Sequence, residues 1–164
     1  ALGAASSAPT DYNTGLKMAA KQQFATFLLA GNFFGVDVNA VQEILRYQDM
    51  TSVPLAPSIV SGLINLRGQI VTAIDLRRRL EMKERDPGKV PVNVVVRSSE
   101  GIVSLLVDEI GDVVEVADDT FELPPETLSG KAREMVLGVH KLTNKLMHVL
   151  DTERVACEGN ETQR

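Results

Sequence analysis

Two stretches of this chain can be laid over each other without a gap, and this repeat constrains the fold more than any other feature of the sequence. Residues 62–75 lie over residues 138–151. Each stretch begins at a glycine, Gly62 or Gly138, and runs through an apolar strand to a two-residue turn, Arg67-Gly68 or Thr143-Asn144. Each returns as a second strand and ends at an aspartate, Asp75 or Asp151, placed to accept from the first N–H groups of a short helix. A second match sets Val38-x-x-Val41-x-Glu43-Ile44 over Val107-x-x-Ile110-x-Asp112-Val113. The pattern predicts two similar β lobes. Each is too small to bury an adequate core alone, so the two are expected to share one.

The shared core must be built from Val, Ile and Leu, because aromatics are 4% of residues and Trp is absent. Branched side chains pack well on a pleated surface, which again favours strands. Candidate strands are 24–29, 33–38, 59–66, 69–74, 92–97, 102–107, 113–116, 135–142 and 145–150. Residues 41–46 read as a short helix or a twisted strand. Segment 51–58 carries prolines and reads as a loop or an edge strand, 121–130 carries prolines and reads as a loop, and 84–91 reads as a charged linker. Short helices are expected at 76–80 and 152–156. Residues 1–22 are expected to be a flexible tail, with a short helix possible over 16–23, and residues 158–164 a second tail.

The net charge of −5 gives little of the counterion release that drives binding to a phosphate backbone, so general nucleic-acid binding is not expected. The single cysteine, Cys157, allows no intramolecular disulfide and no cysteine-based zinc site. No apolar run approaches the roughly 20 residues of a spanning helix, and no signal-peptide pattern opens the chain. Membrane insertion is therefore not expected.

Few residues suggest chemistry. His140 and His148 fall on opposite strands of the last hairpin, one residue out of register and within possible reach of each other, but no further donor joins them in sequence. No metal site and no cofactor are expected. No phosphate loop, nucleophile elbow or zinc-protease motif occurs. Asp108 and Glu109 are adjacent on a strand and point opposite ways, a poor acid–base couple. The chain does not read as an enzyme. Glu43, and Arg67 on a hairpin turn, read instead as a protein-binding surface, with Val41 as an apolar anchor.

Several segments resemble the CheW family. They are 33–38 with Val41-Gln42-Glu43-Ile44, then Ser61 to Val71, then Ile74-Asp75-Leu76-Arg77, then Val107 to Val113. The run Gly62-x-x-Asn65-Leu66-Arg67-Gly68, followed after one residue by Ile70-Val71, is the most specific. The resemblance covers about residues 24–155. It implies an all-β fold with short helices over 23–157, in which two intertwined five-stranded barrels of Src-homology-3 type interleave. It also implies a non-catalytic, cytoplasmic chemotaxis adaptor that couples the histidine kinase CheA, through its regulatory domain, to the cytoplasmic tips of chemoreceptors in signalling arrays. Matched by position, Val41, Glu43, Gly62 and Arg67 are the leading partner-binding candidates. Val92, Ile110 and Val113 fall at groove or near-groove positions.

The alternatives on the same fold are a regulatory module of a CheA kinase or part of a CheV-type protein. A chain with tails at both ends favours the adaptor. A small oligonucleotide-binding barrel is the alternative from another class, and it would need basic and aromatic residues interleaved on one face. Two departures stand out. The hairpin 139–150 is more basic than the family pattern, through His140, Lys141, Lys145 and His148, and residues 1–22 carry no family pattern.

Overall fold

The turns come first, because they set which strands can pair. Arg67 (φ 51°) and Gly68 (φ 91°) both occupy the left-handed region. This is the two-residue geometry whose twist matches an antiparallel hairpin. A computed structural model describes residues 21–157.

In chain order the strands are β1 (Lys21–Leu29), β2 (Asn32–Asp37), β3 (Val41–Leu45), β4 (Val60–Leu66) and β5 (Gln69–Asp75). Helix α1 (Leu76–Arg79) follows. Then come β6 (Val92–Ser98), β7 (Gly101–Val107), β8 (Glu109–Ala117), β9 (Phe121–Glu122), α2 (Gly130–Met135), β10 (Val136–Lys141), β11 (Leu146–Leu150) and α3 (Thr152–Ala156). Asp75 accepts from the Arg77 N–H at 3.0 Å, and Asp151 accepts from the N–H groups of Glu153 and Arg154, so both aspartates cap as expected.

The strands form two sheets, ordered β8-β1-β2-β11-β10-β9 and β3-β6-β7-β5-β4. Apart from the two-residue β9, the orders are the same list read through the repeat. One shift along the chain carries the pair Phe27↔Phe34 onto Val96↔Val103, and Val41↔Val96 onto Ile110↔Phe27. A second shift carries Val60↔Ile74 and Gly62↔Ala73 onto Val136↔Leu150 and Gly138↔Val149, bulge included. Each repeat therefore leaves its first two strands in one sheet and sends the rest to the other. The lobes are intertwined because the repeats exchange halves.

One large core lies between the sheets. It takes Phe27, Phe34 and Val36 from one, Ile74, Val94, Val96 and Leu105 from the other, and Leu76 and Val155 from the helices. Each sheet also curls around a smaller cluster of its own: Ile64, Val71, Val95 and Leu106 in the five-stranded sheet, Phe24, Val116, Met147 and Val149 in the six-stranded one. β6 is buried on both faces, which is why Val94-Val95-Val96 shows no alternation.

The chain leaving β3 returns to pair Thr51 with Leu63 on β4. The equivalent return after β8 is β9, where Glu122 pairs with Val139. Gly62 and Gly138 sit under these two seams. A Cβ at Gly62 would stand 2.8 Å from the Thr51 carbonyl oxygen, and one at Gly138 would stand 2.4 Å from that of Glu122.

Of the two readings of residues 41–46 the strand holds, because Val41–Leu45 pairs with β6. Three local expectations change. Of the candidate helix 16–23, residues 21–23 are strand in β1 and the rest lie outside the described residues. The expected loop 121–130 contains β9 and the first residue of α2. That helix was hidden because only Ala132 and Met135, three apart, reach the core. One sheet has six strands rather than five, through β9.

Adding a methyl group under either seam forces backbone apart. Gly62→Ala and Gly138→Ala are each expected to cost about 1–3 kcal/mol in denaturant unfolding. Gly88→Ala, where a Cβ meets nothing within 4 Å, should change stability by less than about 0.5 kcal/mol.

Candidate partner-binding surface

β3 and β8 are equivalent strands at the outer edges of the two sheets, and most of the candidate residues lie on or beside them. On the β3 side, the Arg67 guanidinium donates to the Glu43 carboxylate. Their side chains are 72% and 21% exposed. The Gly68 N–H donates to Asn65 at 2.8 Å and fixes the turn that presents Arg67. The ion pair thus joins the β3 edge to the tip of the β4–β5 hairpin. Ile44, beside Glu43, and Ile70, beside the turn, are exposed.

On the β8 side, Ile110 and Val113 are 38% and 56% exposed. Glu109, Gly111, Asp112 and Glu115 are exposed along the same strand. Ile110 borders a groove of about 590 Å³ whose apolar walls include Leu28, Phe33, Val114, Leu142 and Leu146. The Lys145 ammonium lies 4.1 Å from the centre of the Phe33 ring. His148 Nδ1 lies 3.0 Å from the Phe33 carbonyl oxygen and donates to it.

The seven candidates thus separate into groups. Glu43 and Arg67 meet. Ile110 and Val113 share the other edge. Val41 and Val92 are half-buried against the shared core. Gly62 is buried beneath Met50 and Thr51, so the structure gives it a packing role under the seam. The two histidines point to opposite faces of the hairpin, since His140 pairs with Met147 and His148 with Val139. The approach left open by the sequence is not made.

The repeat makes the contrast between the edges informative. Asp112 occupies the position equivalent to Glu43, but Thr143 stands where Arg67 would be. The ion pair is not duplicated, and the second edge carries the apolar groove instead.

A CheW-like domain model matches residues 23–158. The chain belongs to the CheW-like family. It is 30% identical over 137 residues to the probable chemotaxis protein CheW of Rhizobium etli, covering 84% of this chain and 88% of that one. It is 28% identical over 137 residues to the chemotaxis protein CheW of Treponema pallidum, with 81% of each covered. Among solved structures it superposes on the scaffolding protein TtCheW from Thermoanaerobacter tengcongensis with a TM-score of 0.75 at 26% identity, covering 84% of this chain and 92% of that one. The CheW-like fold is therefore present across both lobes.

A charge cluster between the lobes escaped the sequence reading. At the connection between β7 and β8, Asp108 accepts from Arg77 Nε at 3.0 Å, Arg85 Nε at 3.0 Å and the Ala30 N–H at 2.8 Å. Arg85 also lies 3.6 Å from Asp75. Burial pushes the Asp108 carboxyl up, but the hydrogen bonds from Arg77, Ala30 and Arg85 together outweigh it and hold it below its ordinary value. Asp108 then stabilises the fold fully above the unfolded carboxyl value of about 3.9, and that contribution is lost as pH falls from there toward the folded value. Asp108→Asn is expected to destabilise the protein by about 2 kcal/mol near neutral pH. It should also flatten the acid limb of stability measured by denaturant titration below about pH 4.

Proposed function

We propose that this chain is a non-catalytic chemotaxis adaptor. It joins the regulatory domain of the histidine kinase CheA to the cytoplasmic tips of chemoreceptors, and it acts in the cytoplasm within receptor arrays. The observation that carries the reading is the pair of equivalent outer strands with different chemistry. A coupling protein must hold two partners at once without confusing them. A duplicated backbone supplies two comparable platforms, and the substitutions between repeats give each its own selectivity.

The β3 edge offers a surface ion pair, which fixes orientation more than it adds affinity. The β8 edge offers exposed Ile110 and Val113 beside an apolar groove, a shape suited to a docked helix. Linking two partners on one rigid body raises their local concentration with no bond made or broken.

Titration calorimetry of the full chain with a CheA regulatory domain, and separately with a receptor cytoplasmic fragment, tests this. Saturable binding to both is expected. Arg67→Ala and Glu43→Ala should weaken one partner by about tenfold, or ~1.4 kcal/mol. Their stability should change by less than about 1 kcal/mol, as for an exposed pair. Ile110→Asp should weaken the other partner. No binding at about 100 μM, near −5.5 kcal/mol, contradicts the coupling role. Loss of the same partner in all three variants contradicts the two-surface reading.

A further inference from the structure

The two seams are closed by equivalent backbone but not by equivalent side chains. Under the Thr51 seam lies Ile64, 1% exposed. Under the β9 seam the equivalent residue is His140, also 1% exposed. The repeat therefore places an ionisable ring where its twin has a hydrocarbon.

Phe24 on β1 meets the His140 ring at 5.6 Å between centroids, and Phe121 on β9 meets it at 5.2 Å. The Thr120 hydroxyl oxygen is 2.7 Å from Nδ1. That hydroxyl already donates its proton to the Ala117 carbonyl at 2.9 Å. Its oxygen must therefore accept from the histidine, which fixes the neutral ring with its proton on Nδ1. Nε2 has no hydrogen-bond partner among the described residues. The ring borders a pocket of about 350 Å³ lined by Phe24, Phe121, Leu137 and Val149, with Gln22 and Asp118 as its polar members. A second proton on this ring would sit among mostly hydrocarbon walls.

The surroundings do little to offset that charge. Asp118, in the turn before β9, favours the charged ring. β1 presents Gln22 and Phe24, and β11 presents Met147 and Val149. Glu122 and Lys141 pair with each other at 3.1 Å on the surface. Burial lowers the pKa of His140, and Asp118 opposes this without outweighing it.

The strap of residues 118–122 has few other attachments. β9 holds two residues, and its pairings to β10 are Glu122 to Val139 and Phe121 to His140 itself. Phe121 remains 42% exposed. We propose that His140 is a proton-operated latch: the uncharged ring seats the strap of residues 118–122 on the edge of the six-stranded sheet, and protonation at Nε2 releases it. Release bares the outer edge of β10, a row of backbone groups open to strand pairing. The proton binds more tightly to the released form. The seated form is therefore favoured above the ordinary histidine value of about 6.5, and this preference is lost as pH falls below it.

Hydrogen exchange of the full chain, read by mass spectrometry at about pH 7.5 and about pH 5.5 and corrected for intrinsic rates, tests the latch one unit either side of that value. Protection of residues 118–122 and 138–141 is expected to fall severalfold at the lower pH, while the Thr51–Leu63 seam stays protected. His140→Ile, which copies the other seam, should abolish the response. Unchanged protection in the wild type, or a pH response that survives in His140→Ile, overturns the proposal. An NMR titration of His140 in the wild type decides independently of whether the variant folds. A value below about 6.5 supports the latch, and a value at or above it overturns it.

Discussion

Hydrogen bonding of β3 to β6 and of β8 to β1 ties each repeat into the other's sheet. Neither repeat can complete a sheet with its own strands. The apolar faces this leaves are buried against each other in one core, where Phe27 and Phe34 meet Val94, Val96 and Leu105. Hydrophobic burial is the main favourable term in folding, and here it depends on both repeats being in place. The connections between sheets carry the polar cost. Asp37 accepts from the Asn39 N–H at 2.8 Å at the first, and Asp108 gathers two guanidinium groups and a backbone N–H at the second. A half-buried carboxylate is tolerable there because each of its oxygens is engaged.

The exchange also explains how one small chain can carry two kinds of surface. Duplication fixes where the outer strands, hairpin tips and seams lie. Divergence of single residues then sets what each does. Arg67 is answered by Thr143, Glu43 by Asp112, and Ile64 by His140. The first contrast removes an ion pair, and the last places a titratable group under a seam. Because the backbone beneath each pair is equivalent, these differences are read against an internal reference.

Much of this was visible in the sequence. Gly62 with Asp75 and Gly138 with Asp151 framed the repeated hairpins, and turn residues placed most strand ends. The exchange is legible only through the family resemblance, which implies intertwined barrels, because pairing between distant strands leaves no local trace in the residues themselves. β9 is too short at two residues to show alternation, and α2 shows no helical stripe because only Ala132 and Met135 reach the core. Among the candidate residues, Glu43 and Arg67 were found as polar residues near apolar segments, and the structure brings them into contact. Gly62 is a partner-binding candidate only by its match to the family, and the structure buries it against Thr51. Asp108 was set aside because its neighbour Glu109 faces away, whereas its partners Arg77 and Arg85 come from residues more than twenty positions earlier in the chain.

The central claim is that the exchanged repeats fold as one unit. Native-state hydrogen exchange across increasing denaturant measures this directly, using amides of β1–β2 in one sheet and β6–β7 in the other. If the account is right, the most protected amides of both sheets open with the same free energy and the same denaturant dependence, in one global transition. If one sheet stays protected after the other has exchanged, the lobes are separable and the account is wrong.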